Sequence, residues 1–150
     1  MNENNITIRY AVAQDIPALA SLMTELGYPT TVAEMQQRFV QIQSHDDYAT
    51  FVAVYQHEVV GMIGVFKNIY YEKNGIYARI AALVVNGAHR NKGIGKLLIQ
   101  QAEKWAIEVG ASALLLNSGN REERKVAHTF YQQQGFEPKT TGFVKALKEL

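Results

Sequence analysis

The most informative stretch of this sequence is residues 85–96, which read VNGAHRNKGIGK. It follows a continuously apolar run, residues 76–85, and precedes apolar residues that recur every three or four positions over residues 94–109. The first pattern predicts a buried strand, and the second predicts an amphipathic helix. We therefore expect a strand, a glycine-containing loop and a helix in direct succession.

This loop has the properties of an anion-binding site. The first N–H groups of a helix lack intrahelical partners and carry partial positive charge, so they bind phosphate where small residues allow it to approach. Gly93 and Gly95 provide that access, and Arg90, Lys92 and Lys96 add full positive charges. Because cations oppose the helix dipole at this end, a bound pyrophosphate would relieve the repulsion. A glycine-containing turn with solvated lysines is the alternative interpretation.

Two other phosphate-binding loops fit the stretch poorly. The Gly-x-x-x-x-Gly-Lys-Ser/Thr order of nucleoside triphosphatases is absent, and Leu98 stands where a dinucleotide-binding loop has glycine or alanine. Residues 90–95, RNKGIG, instead match in full the Arg/Gln-x-x-Gly-x-Gly/Ala acetyl-CoA signature. By this motif the sequence resembles the GCN5-related N-acetyltransferase (GNAT) superfamily.

The resemblance extends over most of the chain. Residues 127–131, AHTFY, with Gly135 and Phe136, are similar to the superfamily's late helix-to-strand motif, and residues 6–15 are similar to its opening strand and turn. It implies one α/β (α+β) domain over residues 1–150, with a mixed, mostly antiparallel central sheet flanked by about four helices.

Local patterns predict the individual elements. Asp15 and Thr31 are typical helix N-caps, and Gly27, Gly110 and Gly135 are typical helix ends. Besides the segments above, we expect strands at residues 6–12, 50–55, 58–70, 113–116 and 143–147, and helices at 16–26, after 31 and at 122–134.

Composition excludes several classes of function. The 150 residues carry a net charge of +1, which disfavours non-specific nucleic-acid binding, and zero cysteines exclude disulfides, thiolate zinc sites and a cysteine nucleophile. His45, His57 and His89 lack metal-ligand spacing, so no metal is expected. Without a signal-peptide pattern or about 18 consecutive apolar residues, we expect a cytoplasmic protein outside the membrane.

The resemblance also implies the cofactor-binding residues for acetyl-CoA. The backbone of Leu83, Val84 and Val85 would pair with the pantetheine arm, and Asn117 with Ser118 would lie where the sheet opens for the thioester. Arg124, which replaces a common asparagine of the family, is a further candidate. Together with residues 127–128 and 130–131 it resembles the pattern of a branch that includes aminoglycoside and aminoalkylphosphonate acetyltransferases. The loop amides that would bind the pyrophosphate belong to Arg90, Asn91, Lys92, Gly93, Ile94 and Gly95, next to Lys96.

Tyr131 is the candidate general acid. It matches the tyrosine that performs this role in the family, and a phenol with a pKa of about 10 stays protonated at neutral pH. It would stabilise or protonate the departing CoA thiolate. The alternative interpretation is that Tyr131 fills the core together with Phe130.

No general base can be assigned from the family pattern. Many relatives carry a glutamate on the fourth strand, but residues 79–83 read RIAAL and offer no carboxylate. Glu25, at the end of the first predicted helix, is the candidate; Glu72 is a weaker one, and water could take the proton instead. Both carboxylates could also be ordinary surface residues, and the same holds for His128 on the late helix.

The predicted function is acetyl transfer from acetyl-CoA to a primary amine of a small molecule by direct transfer. A protein N-terminus or lysine acceptor, or a non-catalytic acyl-CoA-binding regulatory module, are the alternatives. The apolar residues 143–147 and the unpaired edges of such a sheet make a homodimer a reasonable expectation.

Overall fold

The computed structural model describes residues 5–117, 125–140 and 142–148. The chain divides into two compact units, Met1–Leu116 and Asn117–Leu150. None of the helices within these described stretches has the length and apolarity needed to cross a membrane. The elements are β1 (Ile6–Tyr10), α1 (Ile16–Leu26), α2 (Val32–Gln43), β2 (Tyr48–Tyr55), β3 (Glu58–Ile69), β4 (Ile76–Val85), α3 (Ile94–Glu108), β5 (Ala111–Leu116) and, in the second unit, α4 (Lys125–Gln133).

The first unit contains a five-stranded sheet in the order β1-β2-β3-β4-β5. The first three pairings are antiparallel, and β4 pairs with β5 in parallel. A parallel neighbour requires a crossover connection, and α3 provides it between β4 and β5. This sheet and the four described helices confirm the predicted fold class.

Helices cover the two faces of this sheet. Leu19 of α1 and Phe39 of α2 pack in one buried cluster with Met62 of β3 and Val84 of β4. Gly61, the residue before Met62, faces the other way and meets α3. A Cβ added at Gly61 would lie 3.2 Å from Leu98 Cδ1 and 3.2 Å from the carbonyl oxygen of Val84. The missing side chain therefore allows α3 to approach β3 and β4 closely.

The helix starts agree only in part with the predictions. Thr31 caps α2 as predicted, because its hydroxyl oxygen accepts a hydrogen bond from the Glu34 amide at 3.1 Å. Asp15 precedes α1 but its side chain does not cap that helix. Its carboxylate instead accepts bonds from the Val12 amide at 2.8 Å and from Arg9 at 2.7 and 3.0 Å. The Asp15 carboxylate therefore binds the charged Arg9 of β1 and not the amides of α1. The strand β1 ends at Tyr10, whereas the sequence pattern predicted an end at residue 12.

The predicted strand at residues 143–147 is wrong. Within the described residues 142–148 the backbone is irregular, and the side chains of Phe143 and Val144 are each 92% exposed. An apolar run forms a strand only when a neighbouring strand supplies hydrogen bonds, and no described residue pairs with this one. The late helix ends near its predicted boundary, whereas residues 122–124 of its predicted start lie outside the described residues.

Asp15 generates a prediction about stability. The hydrogen bonds from Arg9 hold the pKa of Asp15 below its usual range, and the Asp15 side chain is only 5% exposed. Because Arg9 is 41% exposed and partly screened by solvent, we expect Asp15→Asn to lower the unfolding free energy by about 1 to 2 kcal/mol at pH 7. Urea unfolding monitored by circular dichroism measures the change.

The pH dependence follows from the direction of that shift. Because the pKa of Asp15 is lower in the folded state, its carboxylate contributes its full stabilisation at pH values above the unfolded-state pKa of about 3.9. This contribution is lost as the pH falls through the folded-state pKa. The difference between wild type and Asp15→Asn should therefore shrink in acid. Asp47→Asn is the control, since Asp47 is 62% exposed and lies 4.0 Å from Lys67. Equal losses in the two variants would contradict a special role for Asp15.

Candidate active site

The parallel pairing of β4 with β5 ends before β4 does. The last paired residues are Ile80 and Leu116, whereas β4 continues to Val85. Ala81 is exposed and is skipped in the pairing with β3, so it forms a bulge at the point of divergence. No described strand pairs with the following four residues of β4 on the β5 side. The sheet thus opens along the last half of β4.

The direction of the backbone groups on this open edge follows from strand geometry. The Asn86 amide donates to the Val60 carbonyl oxygen of β3 at 2.8 Å. Because residues of an antiparallel pair alternate in direction, the amide of Val84 also points to β3. The N–H and C=O groups of Leu83 and Val85 point the other way, to the open side. Two of the three predicted strand positions therefore present their backbone there.

The loop after β4 is held in an unusual backbone conformation. Asn86 begins it, and its side-chain oxygen accepts a hydrogen bond from the Ala88 amide at 2.9 Å. Asn91 and Gly93 both have left-handed backbone angles, with φ of 66° and 79°. Left-handed residues between right-handed ones turn successive amides toward a common concavity that suits anions. Gly93 is the N-cap of α3 and has no side-chain cap.

The amides of this loop are available to a ligand. Within the described stretches, none of the amides of residues 91–96 donates a hydrogen bond to a protein acceptor, and the first helical bond is that of Leu97 to the Gly93 carbonyl oxygen. The first turn of α3 contains no acidic residue. A helix start of this kind, near glycines and cations, has the physical character of a phosphate site.

The cationic side chains of the loop contact neighbouring backbone and aromatic groups. Arg90 donates through Nε to the Val85 carbonyl oxygen at 3.3 Å. The Lys92 ammonium lies 5.4 Å from the ring centre of Tyr55, within the range of a cation–π contact. His89 packs edge-on against the same ring at 5.6 Å. No sequence pattern indicated Tyr55, because it lies on β2, far from the loop along the chain.

Glu25 contacts the same loop from α1. Its Oε2 accepts a hydrogen bond from the Gly87 amide at 2.6 Å and lies 3.6 Å from Arg90 Nη2. The carboxylate also borders a cavity of about 350 Å³ between α1 and the beginning of β3. Glu25 is therefore reachable by solvent while it joins α1 to the loop. Sequence reasoning selected this residue but not the contact with Gly87.

The second unit contains the candidate acid. Tyr131 lies on α4, half-buried, and packs against Phe130 and Phe136 with ring centres 5.6 and 6.1 Å apart. The Phe136 amide donates to the Tyr131 carbonyl oxygen at 3.1 Å, and Gly135 is left-handed with φ of 94°. This is the Schellman arrangement that ends a helix at glycine. His128 lies one turn earlier on α4 and is also half-buried.

The remaining predicted site residues are described only in part. Asn117 follows β5 and is exposed, and its amide nitrogen lies 3.7 Å from where a Cβ of Gly142 would stand. Ser118 and Arg124 lie outside the described residues. In the stretches that are described, His, Asp and Glu side chains form no group of three that could hold a metal ion.

Comparison with known proteins shows the family of this chain. The acetyltransferase (GNAT) family model matches residues 16–136. The N-acetyltransferase YhdJ of Bacillus subtilis, which is named as uncharacterized, is 32% identical over 133 residues, or 87% of this chain and 88% of that protein. The aminoalkylphosphonate N-acetyltransferase of Salmonella typhimurium is 32% identical over 96 residues, or 64% of this chain and 61% of that protein.

A solved structure agrees with this assignment. A GNAT family acetyltransferase from Staphylococcus aureus has a TM-score of 0.82 at 32% identity, over 95% of this chain and 99% of that one. The family resemblance read from residues 90–95 and 127–136 is thereby confirmed. The chain belongs to the GNAT family of acetyltransferases and is an acetyl-CoA-dependent acetyltransferase.

Proposed function

We propose that this enzyme transfers the acetyl group of acetyl-CoA to a primary amine of a small molecule, directly and without an acyl-enzyme. The observation that carries the proposal is the open edge of β4, followed by the loop at residues 86–93 and by amides at the start of α3 that donate to no described residue. A strand edge suits the amide-containing pantetheine arm, and a helix start suits the pyrophosphate. The family match spans both compact units, which supports one transferase domain over residues 1–150.

The proposed contacts with acetyl-CoA follow from this geometry. The backbone of Leu83 and Val85 would pair with pantetheine, while Val84 supports the strand through its buried side chain. The amides from Arg90 to Gly95, with the charges of Lys92 and Lys96, would bind the pyrophosphate. An amide of Leu83 or Val85 would also stabilise the oxyanion that develops on the thioester carbonyl, because these amides face the open side. Asn117 and Arg124 remain predicted contacts.

The reaction requires two proton transfers, one from the amine and one to the departing thiolate. The neutral amine attacks the thioester carbon, a C–N bond forms, and the C–S bond then breaks. The proton lost by the amine passes to a base, for which Glu25 or water is the candidate. The departing thiolate takes a proton from Tyr131, as the family resemblance implies.

The acceptor is proposed to be a small amine because one of the similar relatives is named as an aminoalkylphosphonate N-acetyltransferase. A protein N-terminus or a lysine is the alternative acceptor, and no feature of the described residues favours it. We further propose a homodimer, since Phe143, Val144 and Leu147 are at least 90% exposed and apolar. Exposed clusters of this kind are typical of interaction surfaces.

The first prediction concerns the loop charges. Replacing Lys92 and Lys96 with Gln should weaken acetyl-CoA binding by about threefold to tenfold per lysine, because each cation contributes on the order of 1 kcal/mol at an exposed phosphate site. The effect should diminish at high salt, which screens exposed charges. Calorimetric titration measures it. Lys104→Gln, on the exposed surface of the same helix, is the matched control and should bind like wild type. Equal affinities in all variants would contradict the loop as the pyrophosphate site.

The second prediction concerns Tyr131. Tyr131→Phe removes the hydroxyl but keeps the ring packing, so turnover should fall at least about tenfold while the affinity for acetyl-CoA changes little. Steady-state kinetics with a thiol-release assay measures both. Tyr28→Phe is the control, because Tyr28 is 67% exposed near the end of α1. Unchanged turnover in Tyr131→Phe would assign the tyrosine to packing alone.

The third prediction separates two roles for Glu25. We expect Glu25→Ala to raise the KM for acetyl-CoA, because the Gly87 amide loses its acceptor and the loop loses its connection to α1. Glu25→Gln still offers an oxygen to that amide, so its KM should stay closer to wild type. If Glu25 is instead the base, Glu25→Gln will lower kcat and abolish the acidic limb of the pH–rate profile. Wild-type kinetics in both variants would exclude both roles.

A further inference from the structure

Arg79 on β4 has a buried nitrogen without a partner. Its Nη1 is shielded from solvent, and no described residue accepts a hydrogen bond from it. A guanidinium stays charged at any pH that proteins tolerate. A buried donor without a partner is costly, and such groups in native proteins normally have a hydrogen-bond partner.

The neighbours of Arg79 do not supply the missing anion. Arg79 pairs across the sheet with Phe66 of β3 and Leu115 of β5. Alternation along the strands places Tyr48, Asn68 and Tyr77 on the same face of the sheet. This set of side chains, which we call the Arg79 face, contains one cation and no carboxylate. Lys67 and its partner Asp47 do not change this, because Lys67 alternates to the opposite face.

The Arg79 face also contains polar groups suited to a ligand. Asn68 Nδ2 lies 3.3 Å from the Tyr77 hydroxyl oxygen, so the amide donates to the phenol and leaves the phenolic proton for another acceptor. Asn68 is exposed, and Tyr77 and Arg79 are half-buried. Tyr48 and Phe66 stack with ring centres 5.2 Å apart and form an apolar border. Donors beside an aromatic border suit a small molecule that carries an anionic group.

The position of Arg79 relates this face to the open edge of β4. Arg79 lies two residues before the bulge at Ala81 and four residues before Leu83. At about 3.3 Å per residue, the Cα atoms of Arg79 and Leu83 are separated by about 13 Å. The long arginine side chain shortens the gap that a ligand must span. One small molecule could therefore contact the guanidinium at one end and approach the thioester at the other.

We propose that Arg79 binds an anionic group of the acceptor, so that the preferred substrates are small amines carrying a phosphate, phosphonate or carboxylate. The fixed fork of the guanidinium matches these groups with two parallel hydrogen bonds. This proposal rests on the proposed acetyl transfer at the open edge of β4. It assigns Arg79 to acceptor specificity and leaves acetyl-CoA binding to the loop at residues 90–96.

Matched acceptor pairs test the proposal. The pairs are phosphoethanolamine with ethanolamine and glucosamine 6-phosphate with glucosamine, each assayed by thiol release. Wild type should prefer the phosphorylated member of a pair. In Arg79→Gln, kcat/KM for that member should fall about tenfold to a hundredfold, while kcat/KM for the neutral member changes less than about twofold. Arg79→Lys keeps the positive charge but not the planar guanidinium. Its kcat/KM for the phosphorylated member should lie between the values of wild type and Arg79→Gln.

Arg38→Gln is the matched control, because Arg38 is exposed on α2, and its kinetics should equal those of wild type. Equal losses for charged and neutral amines in Arg79→Gln would overturn the proposal and assign the residue to folding or to the cofactor. Equal wild-type rates for both members of each pair would also overturn it.

A binding measurement separates this proposal from the proposed function. Inorganic phosphate is titrated into CoA-saturated protein and followed by NMR at the Arg79 side chain and the Phe66 amide. A saturable shift in wild type that is lost in Arg79→Gln supports the anion site, and no shift in wild type overturns it. Failure of the protein to bind CoA would instead contradict the proposed transferase site. The phosphate titration of that protein, repeated with Arg38→Gln as the control, would still decide the role of Arg79.

Discussion

The divergence of β4 from β5 is the constraint on which this structure depends. Backbone N–H and C=O groups are costly to leave without partners away from water, and β4 extends five residues beyond its last pair with β5. The backbone groups of Leu83 and the Val85 amide therefore have no partner on a described strand, whereas the Val85 carbonyl oxygen accepts a hydrogen bond from Arg90 Nε. The loop after β4 leads to the start of α3, whose first amides also lack an acceptor among the described residues. A ligand with an amide arm and a diphosphate would satisfy both.

Much of the first unit could be predicted from local sequence. The apolar run of β4, the spacing of α3 and the Thr31 cap each follow from interactions within a few residues. The RNKGIG motif predicted the loop because a helix start needs only its own amides and nearby small residues to attract an anion. In these elements the relevant partners are close in the chain, and the sequence patterns agree with the structure.

The failures depend on contacts that exist only once the chain is folded. Glu25 and Gly87 are 62 positions apart, so no local pattern could indicate their hydrogen bond. Asp15 has the sequence signature of a helix cap, but Arg9 on β1 takes its carboxylate once the chain is folded. The point at which β5 leaves β4 depends on register, which a sequence pattern of alternating or continuous apolar residues does not specify. The run at 143–147 shows that strand propensity without a paired neighbour is insufficient.

The close contact at Gly61 has a consequence for the choice of acyl carrier. Because α3 touches the strands there, its first turn is fixed at one distance from the end of β4, and the neighbouring Leu98 and Val84 leave little room for adjustment. In the proposed binding mode, this fixed spacing requires a matching distance between the amide arm and the diphosphate of the carrier. A thioester whose reactive carbon lies fewer or more bonds from its diphosphate could not engage the strand and the helix together. The absence of one methyl group would thus contribute to discrimination between carriers of different length.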